Sequence, residues 1–63
     1  MKTKLEIRDR SRERETITGY SQDNMIRRMF GSSAFGINMR IDEPFTVCTA
    51  GGRIVGSAII HEA

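Results

Sequence analysis

The 63-residue chain has few of the residues that reinforce small domains. It holds one cysteine, Cys48, and one histidine, His61, so it cannot form an internal disulfide, and these two residues alone cannot build a metal site. It has no tryptophan, no signal-peptide core and no apolar run near the roughly 18 residues that span a membrane. We therefore expect one domain, residues 1–63, in the cytoplasm, with no cofactor, no metal and no membrane contact.

Small size limits the core that the chain can build. A domain of this length buries only about 60% of the surface that its unfolded chain exposes. Folds below about 70–80 residues commonly gain stability from disulfides, a metal or association with another chain. Association is the supplement left to this sequence, and a homodimer is one form of it.

The only convincing helix lies within residues 21–31. Ser21 can accept hydrogen bonds from the first-turn amides, Asp23 favours the positive end of the helix dipole, and Gly31 suits the position after the last turn. About nine residues are too few for a stable isolated helix, so its apolar stripe must pack on a sheet. That stripe consists of Met25, Ile26, Met29 and Phe30.

Five stretches are typical of strands, namely residues 1–7, 15–20, 37–42, 45–49 and 54–61. Gly51 and Gly52 predict a hairpin with a type I′ turn before the last one. The sequence therefore predicts an α+β fold of order β-β-α-β-β-β, a small antiparallel sheet with one helix packed on one face. The predicted core is Leu5, Ile7, Ile17, Met25, Ile26, Met29, Phe30, Ile37, Met39, Ile41, Phe45, Val47, Ile54, Ala58 and Ile60.

The last strand is apolar on both faces, unlike the others. Ile54, Ala58 and Ile60 alternate with Val55 and Ile59, and strands of this kind are usually covered on both sides. One helix covers one side only. The second face therefore lies under the hairpin formed by residues 8–15 or against another chain.

Positive charge is concentrated in the first half of the sequence. Residues 1–30 hold eight Lys or Arg against five Asp or Glu, whereas residues 31–63 hold two against three. In an extended conformation, the arginines of residues 8–15 project to one side, where they could follow phosphates or bind carboxylates of a protein. The alternative without a binding role is a solvated loop. The three acidic residues between the arginines count against binding to DNA, because they repel its phosphate backbone. The candidate partner-binding residues are Arg8, Arg10, Arg12, Arg14, Tyr20, Arg27 and Arg28.

The remaining candidates have ordinary interpretations too. Arg27 and Arg28 suit a solvated helix face, and Tyr20 can simply close the edge of the core. Catalysis finds little support, because His61 lies where chains fray and the adjacent Asp42 and Glu43 do not form a facing pair. We expect that the protein is not an enzyme.

The order of elements resembles small phage-encoded anti-CRISPR proteins, which inhibit type I surveillance complexes. The resemblance lies in an N-terminal Met-Lys strand, a strand that runs into a serine-started helix (residues 17–21, then 25–28), a glycine-led strand (residues 36–41) and a final glycine-turn hairpin. It implies a non-enzymatic inhibitor that docks on a nucleoprotein complex and blocks access of nucleic acid. Members that mimic DNA have acidic surfaces, which this chain lacks.

These observations favour a small module that binds a protein or nucleoprotein complex as an inhibitor. The alternative is a small basic protein that binds nucleic acid or regulates another protein through the same arginines. A structural oligomer built through the last strand is a third class.

Overall fold

The computed structural model describes residues 1–9 and 15–63 of the chain. Five strands and one helix follow in the predicted order. They are β1 (Thr3–Ile7), β2 (Thr16–Gly19), α1 (Gln22–Phe30), β3 (Ala34–Ile37), β4 (Phe45–Thr49) and β5 (Ile54–Glu62).

The strands form one sheet in the order β2-β1-β5-β4-β3, with every neighbouring pair antiparallel. The first and last strands pair at its centre, where Thr3 faces Glu62 and Ile7 faces Ala58. Strands β2 and β3 are the two edges, and α1 connects them across one face. The predicted α+β architecture is confirmed.

The helix has the ends that its sequence predicts. The Ser21 hydroxyl accepts a hydrogen bond from the Asn24 backbone N–H at 3.2 Å, which caps the first turn. Gly31 has a positive φ of 122°, and its N–H donates to the carbonyl of Arg27 at 2.9 Å. No helix in the described part of the chain is long and apolar enough to cross a bilayer.

The core lies between α1 and the face of the sheet beneath it. Met25 and Ile26 are buried, and Met29 and Phe30 pack half-buried beside them, so the predicted helical stripe is confirmed. The sheet contributes a buried side chain from every strand except β2, whose Ile17 is half-buried. These buried partners are Leu5, Ala34, Phe45, Val47, Ala58 and Ile60.

The predicted strand at residues 37–42 is wrong, because β3 ends at Ile37. Asn38 (φ 53°) and Asp42 (φ 65°) adopt left-handed conformations, which break the extended backbone that alternation had suggested. The alternation within β3 is the reverse of the predicted one. Ile37 therefore points away from the core and is 42% exposed. Ile41 is also outside the core, at 40% exposed.

A change of register places the start of β5 differently from the prediction. Val47 faces Gly56 but Cys48 faces Ile54, so Val55 is an additional residue with no partner on β4. Such a bulge reverses the faces of the residues beyond it. Val55 therefore packs against the core, and Ile54, which we had placed in the core, is 70% exposed.

The hairpin between β4 and β5 is confirmed, but its turn differs from the predicted type I′. Gly52 has φ 83°, whereas Gly51 is not among the positive-φ residues. The Gly52 N–H donates to the Thr49 carbonyl and the Thr49 N–H donates to the Arg53 carbonyl, both at 2.9 Å. A single glycine therefore supplies the left-handed residue that closes this turn.

We call the side of the sheet that faces away from α1 the open face. Cys48 and Ile59 point to it by strand alternation, yet they are only 5% and 8% exposed. Both belong to strands with a neighbour on either side in the sheet. The open face also carries Phe35, Ile37 and Ile54, which are exposed, and the polar Lys4, Glu6, Thr46, Ser57 and His61.

Candidate functional site

Of the arginines at residues 8–15, the structure describes Arg8 only. Its side chain is exposed, and its backbone N–H donates to the carbonyl of Ser57 on β5 at 2.9 Å. The backbone of Arg8 thus continues the central ladder by one residue beyond β1. The predicted contacts at Arg10, Arg12 and Arg14 lie outside the described residues.

Arg27 and Arg28 lie in the last turn of α1, exposed to solvent. A Cβ built on Gly56 would lie 2.7 Å from the Phe30 ring and 3.3 Å from the Asp9 carboxylate. The end of the helix therefore lies beside the residue that follows Arg8. This closeness brings Arg27 and Arg28 to the end of the molecule at which β1 ends.

A fourth arginine, Arg53, reaches the same end of the molecule. It closes the β4–β5 turn, and β5 begins directly after it, at the end of that strand far from the Thr3–Glu62 pair. Sequence reasoning missed Arg53 because its position depends on how far β5 extends beyond β1. We call Arg8, Arg27, Arg28 and Arg53 the basic end. Asp9 and Glu15 also lie there.

Tyr20 lies at the opposite end of the molecule, before the first turn of α1. It is 77% exposed. It does not share a surface with Arg27 and Arg28, which are at the far end of the same helix. The predicted binding residues are therefore divided between two ends of the fold.

A cavity of about 520 Å³ opens beside Tyr20, between the first turn of α1 and the adjoining ends of β1 and β5. We call it the end cavity. Thr3, Ser21 and Gln22 form part of its wall. The side chains that give it chemical character are the apolar Met1, Tyr20, Met39 and Ile41 and the acidic Asp23 and Glu62.

Charge differs between the two ends of the molecule. At the basic end, four arginines lie with Asp9 and Glu15. At the end of the molecule that holds the end cavity, Lys2, Lys4 and Arg40 lie with four acidic residues, of which Asp23 and Glu62 line the cavity. These acidic residues are Asp23, Asp42, Glu43 and Glu62.

His61 is held between two carboxylates on the open face. Its Nδ1 lies 2.7 Å from Asp42 Oδ1, and its Nε2 lies 3.5 Å from Glu6 Oε1. The Asp42 N–H donates to the carbonyl of Ile60, which fixes the connection before β4 against β5. The expectation that His61 frays is wrong, because β5 runs to Glu62 in the central ladder.

The two contacts of His61 link β1 and β5 to the connection between β3 and β4. The side chain of His61 is 33% exposed, so the contacts are partly solvated.

Cys48, the only thiol, is buried. Within residues 1–9 and 15–63, no group of three or more His, Cys, Asp or Glu side chains is arranged to hold a metal ion.

The two surfaces with the clearest binding chemistry are thus the basic end and the end cavity. The first gathers residues from three separate parts of the chain, and the second combines an exposed aromatic ring with carboxylates.

Comparisons with protein-family models, curated proteins and solved structures find no match to this chain.

Proposed function

We propose that the protein is a non-enzymatic binding module that docks on a larger protein or nucleoprotein complex through its basic end. The observation that supports this function best is the gathering of four of the five described arginines at one end of the molecule. Three separate segments supply them, namely the end of β1, the last turn of α1 and the β4–β5 turn. Charges that are far apart in sequence thereby lie at the same end of the fold.

The chemistry of this surface favours an acidic partner. A guanidinium group binds a carboxylate or phosphate through two parallel hydrogen bonds, and arginine is enriched among the residues that dominate interfaces. The neighbouring Asp9 and Glu15 repel a phosphate backbone, whereas a protein surface of mixed charge can accommodate them. A protein or nucleoprotein partner therefore fits better than free nucleic acid.

The resemblance in element order to anti-CRISPR proteins gives this proposal a specific form. The module would act in the cytoplasm, inhibiting a defence complex by obstructing the entry of nucleic acid. Direct binding of nucleic acid is the second candidate, supported by the same arginines.

The test uses a triple variant, Arg27→Ser, Arg28→Ser and Arg53→Ser, with Arg40→Ser as the matched control. All four side chains are exposed, and Arg40 lies near the end cavity. The partner is first recovered from lysate of the host cell and then titrated against each protein by calorimetry. Losing two charge-assisted contacts of about 2 kcal/mol each should weaken binding on the order of a thousandfold. Arg40→Ser should bind like the wild type.

Salt dependence separates the two candidate functions. Binding to a random DNA duplex would weaken log-linearly with salt concentration, by about one unit of slope for each phosphate neutralised. A protein interface with an apolar centre depends less on salt. If the triple variant keeps its native circular dichroism spectrum and binds the partner as tightly as the wild type, the basic end is not the contact surface.

A further inference from the structure

The end cavity has a lining that suits a positively charged organic group. Tyr20 offers an exposed aromatic ring, and the acidic residues Asp23 and Glu62 line the same cavity. Aromatic rings attract cations through their quadrupole, and nearby carboxylates add direct charge attraction.

The apolar part of the lining suits an aliphatic stem attached to that charge. Met1, Met39 and Ile41 line the cavity beside Tyr20, and thioether side chains adapt readily to the shape of a ligand. A volume of about 520 Å³ lies within the range of about 300–1,000 Å³ that is usual for small-molecule sites. The cavity can therefore hold a charged head group together with several carbon atoms.

The two carboxylates are available to a ligand. Within the described part of the chain, neither Asp23 nor Glu62 forms a hydrogen bond or ion pair through its side chain. The Ser21 hydroxyl, and not Asp23, accepts the hydrogen bond from the Asn24 N–H that caps the helix. A cation that enters the cavity would form ion pairs with Asp23 and Glu62 that no described residue forms with them now.

We propose that the end cavity is a binding site for an organic cation with an aliphatic stem, the chemistry presented by an arginine side chain. The site is separate from the basic end, so it does not depend on the function proposed above. Tyr20 contacts the cationic head, Asp23 and Glu62 balance its charge, and the two methionines contact the stem.

The test benefits from the composition of the chain, because Tyr20 is its only tyrosine and it has no tryptophan. Intrinsic fluorescence therefore reports on the end cavity alone. The protein is titrated with N-acetyl-arginine methylamide and, in parallel, with N-acetyl-norleucine methylamide, which has a stem but no charge. We expect saturable changes with the arginine derivative and at least tenfold weaker binding of the norleucine derivative.

Amide chemical shifts in an NMR titration give a second readout that does not need the tyrosine. The changes should centre on residues 20–23. The double variant Asp23→Asn and Glu62→Gln should bind the arginine derivative at least tenfold more weakly. Tyr20→Leu, which keeps apolar volume but removes the ring, should also bind more weakly. Glu43→Gln is the matched control, since Glu43 is exposed and outside the lining, and it should bind like the wild type.

Several results would overturn the proposal. The first is the absence of saturable changes at millimolar concentrations of the arginine derivative. The second is equal binding of the neutral derivative. The third is unchanged binding by a folded double variant. Shift changes that spread evenly over the basic residues of the protein would also contradict a site in the end cavity.

Discussion

The two faces of the sheet are built from similar side chains but differ in what covers them. The face under α1 holds Leu5, Val47 and Ile60, all at most 1% exposed. The open face holds Phe35 and Ile54, which are 45% and 70% exposed. Within β5, Ile60 on the face under α1 is 1% exposed, whereas Ile54 on the open face is 70% exposed.

This difference shows that apolar character did not decide which residues enter the core. The helix can cover only one face, so what matters is whether the alternation along a strand places a side chain on that face. In β5 the bulge at Val55 exchanges the faces of the first residues, which sends Ile54 to the open face. Among the apolar residues of the open face, Cys48 and Ile59 are nevertheless buried.

The largest expected effect comes from the same substitution on the two faces of β5. Ile60→Ala should lower the free energy of unfolding by about 2–5 kcal/mol, because it leaves a cavity in the core. Ile54→Ala should change it by less than about 0.5 kcal/mol, as is usual for exposed sites. Urea unfolding followed by circular dichroism measures both values. Equal losses for the two variants would show that the faces are not as different as described.

A smaller effect should come from adding one methyl group beneath the helix. A Cβ on Gly56 would lie 2.7 Å from the Phe30 ring, so Gly56→Ala should destabilise by about 1–3 kcal/mol through overpacking. Gly51 lacks a positive φ, and a Cβ there would lie 4.0 Å from Thr49 Oγ1. Gly51→Ala is therefore the control, with a change below about 0.5 kcal/mol.

The same urea midpoints decide this second test. If Gly56→Ala unfolds at the wild-type midpoint, the contact between the Phe30 ring and β5 is looser than described. Loss of stability in Gly51→Ala of the same size would instead point to a general effect of removing glycine.

The open face should show the smallest effect, as weak self-association. Exposed apolar side chains that share one sheet face favour contact with a second copy. We expect sedimentation equilibrium to give an average mass above the 7.1 kDa of one chain at high micromolar concentration. The double variant Phe35→Ser and Ile54→Ser should return it to that mass, whereas Glu43→Gln should not. A wild-type mass of one chain at all concentrations would refute self-association.

Sequence reasoning predicted most of the fold because its signals were local. The Ser21 cap, the helical stripe and the alternation in β1 each depend on residues close in sequence. The errors arose where local conformation departed from the pattern, at the left-handed Asn38 and Asp42 and at the bulge of Val55. Alternation cannot show a bulge, because the additional residue is apolar like its neighbours.

The candidate sites were harder to predict, because they depend on which ends of the strands meet. Tyr20 was predicted as a binding residue, but its separation from Arg27 and Arg28 follows from the direction of α1 across the sheet. Arg53 and the end cavity required the register of β5 against β1. His61 was judged mobile from its position in the sequence, although pairing in the central ladder holds it.

The central position of β1 and β5 has a consequence for how the chain folds. Their ladder joins residues far apart in sequence, such as Thr3 and Glu62. Closing so long a loop loses chain entropy before the ladder can compensate, so this fold should form more slowly than a small helical bundle. During synthesis on the ribosome, β1 and β2 would wait for β5 to emerge. Until then the β1–β2 and β3–β4 pairs, on which α1 packs, are not joined to each other.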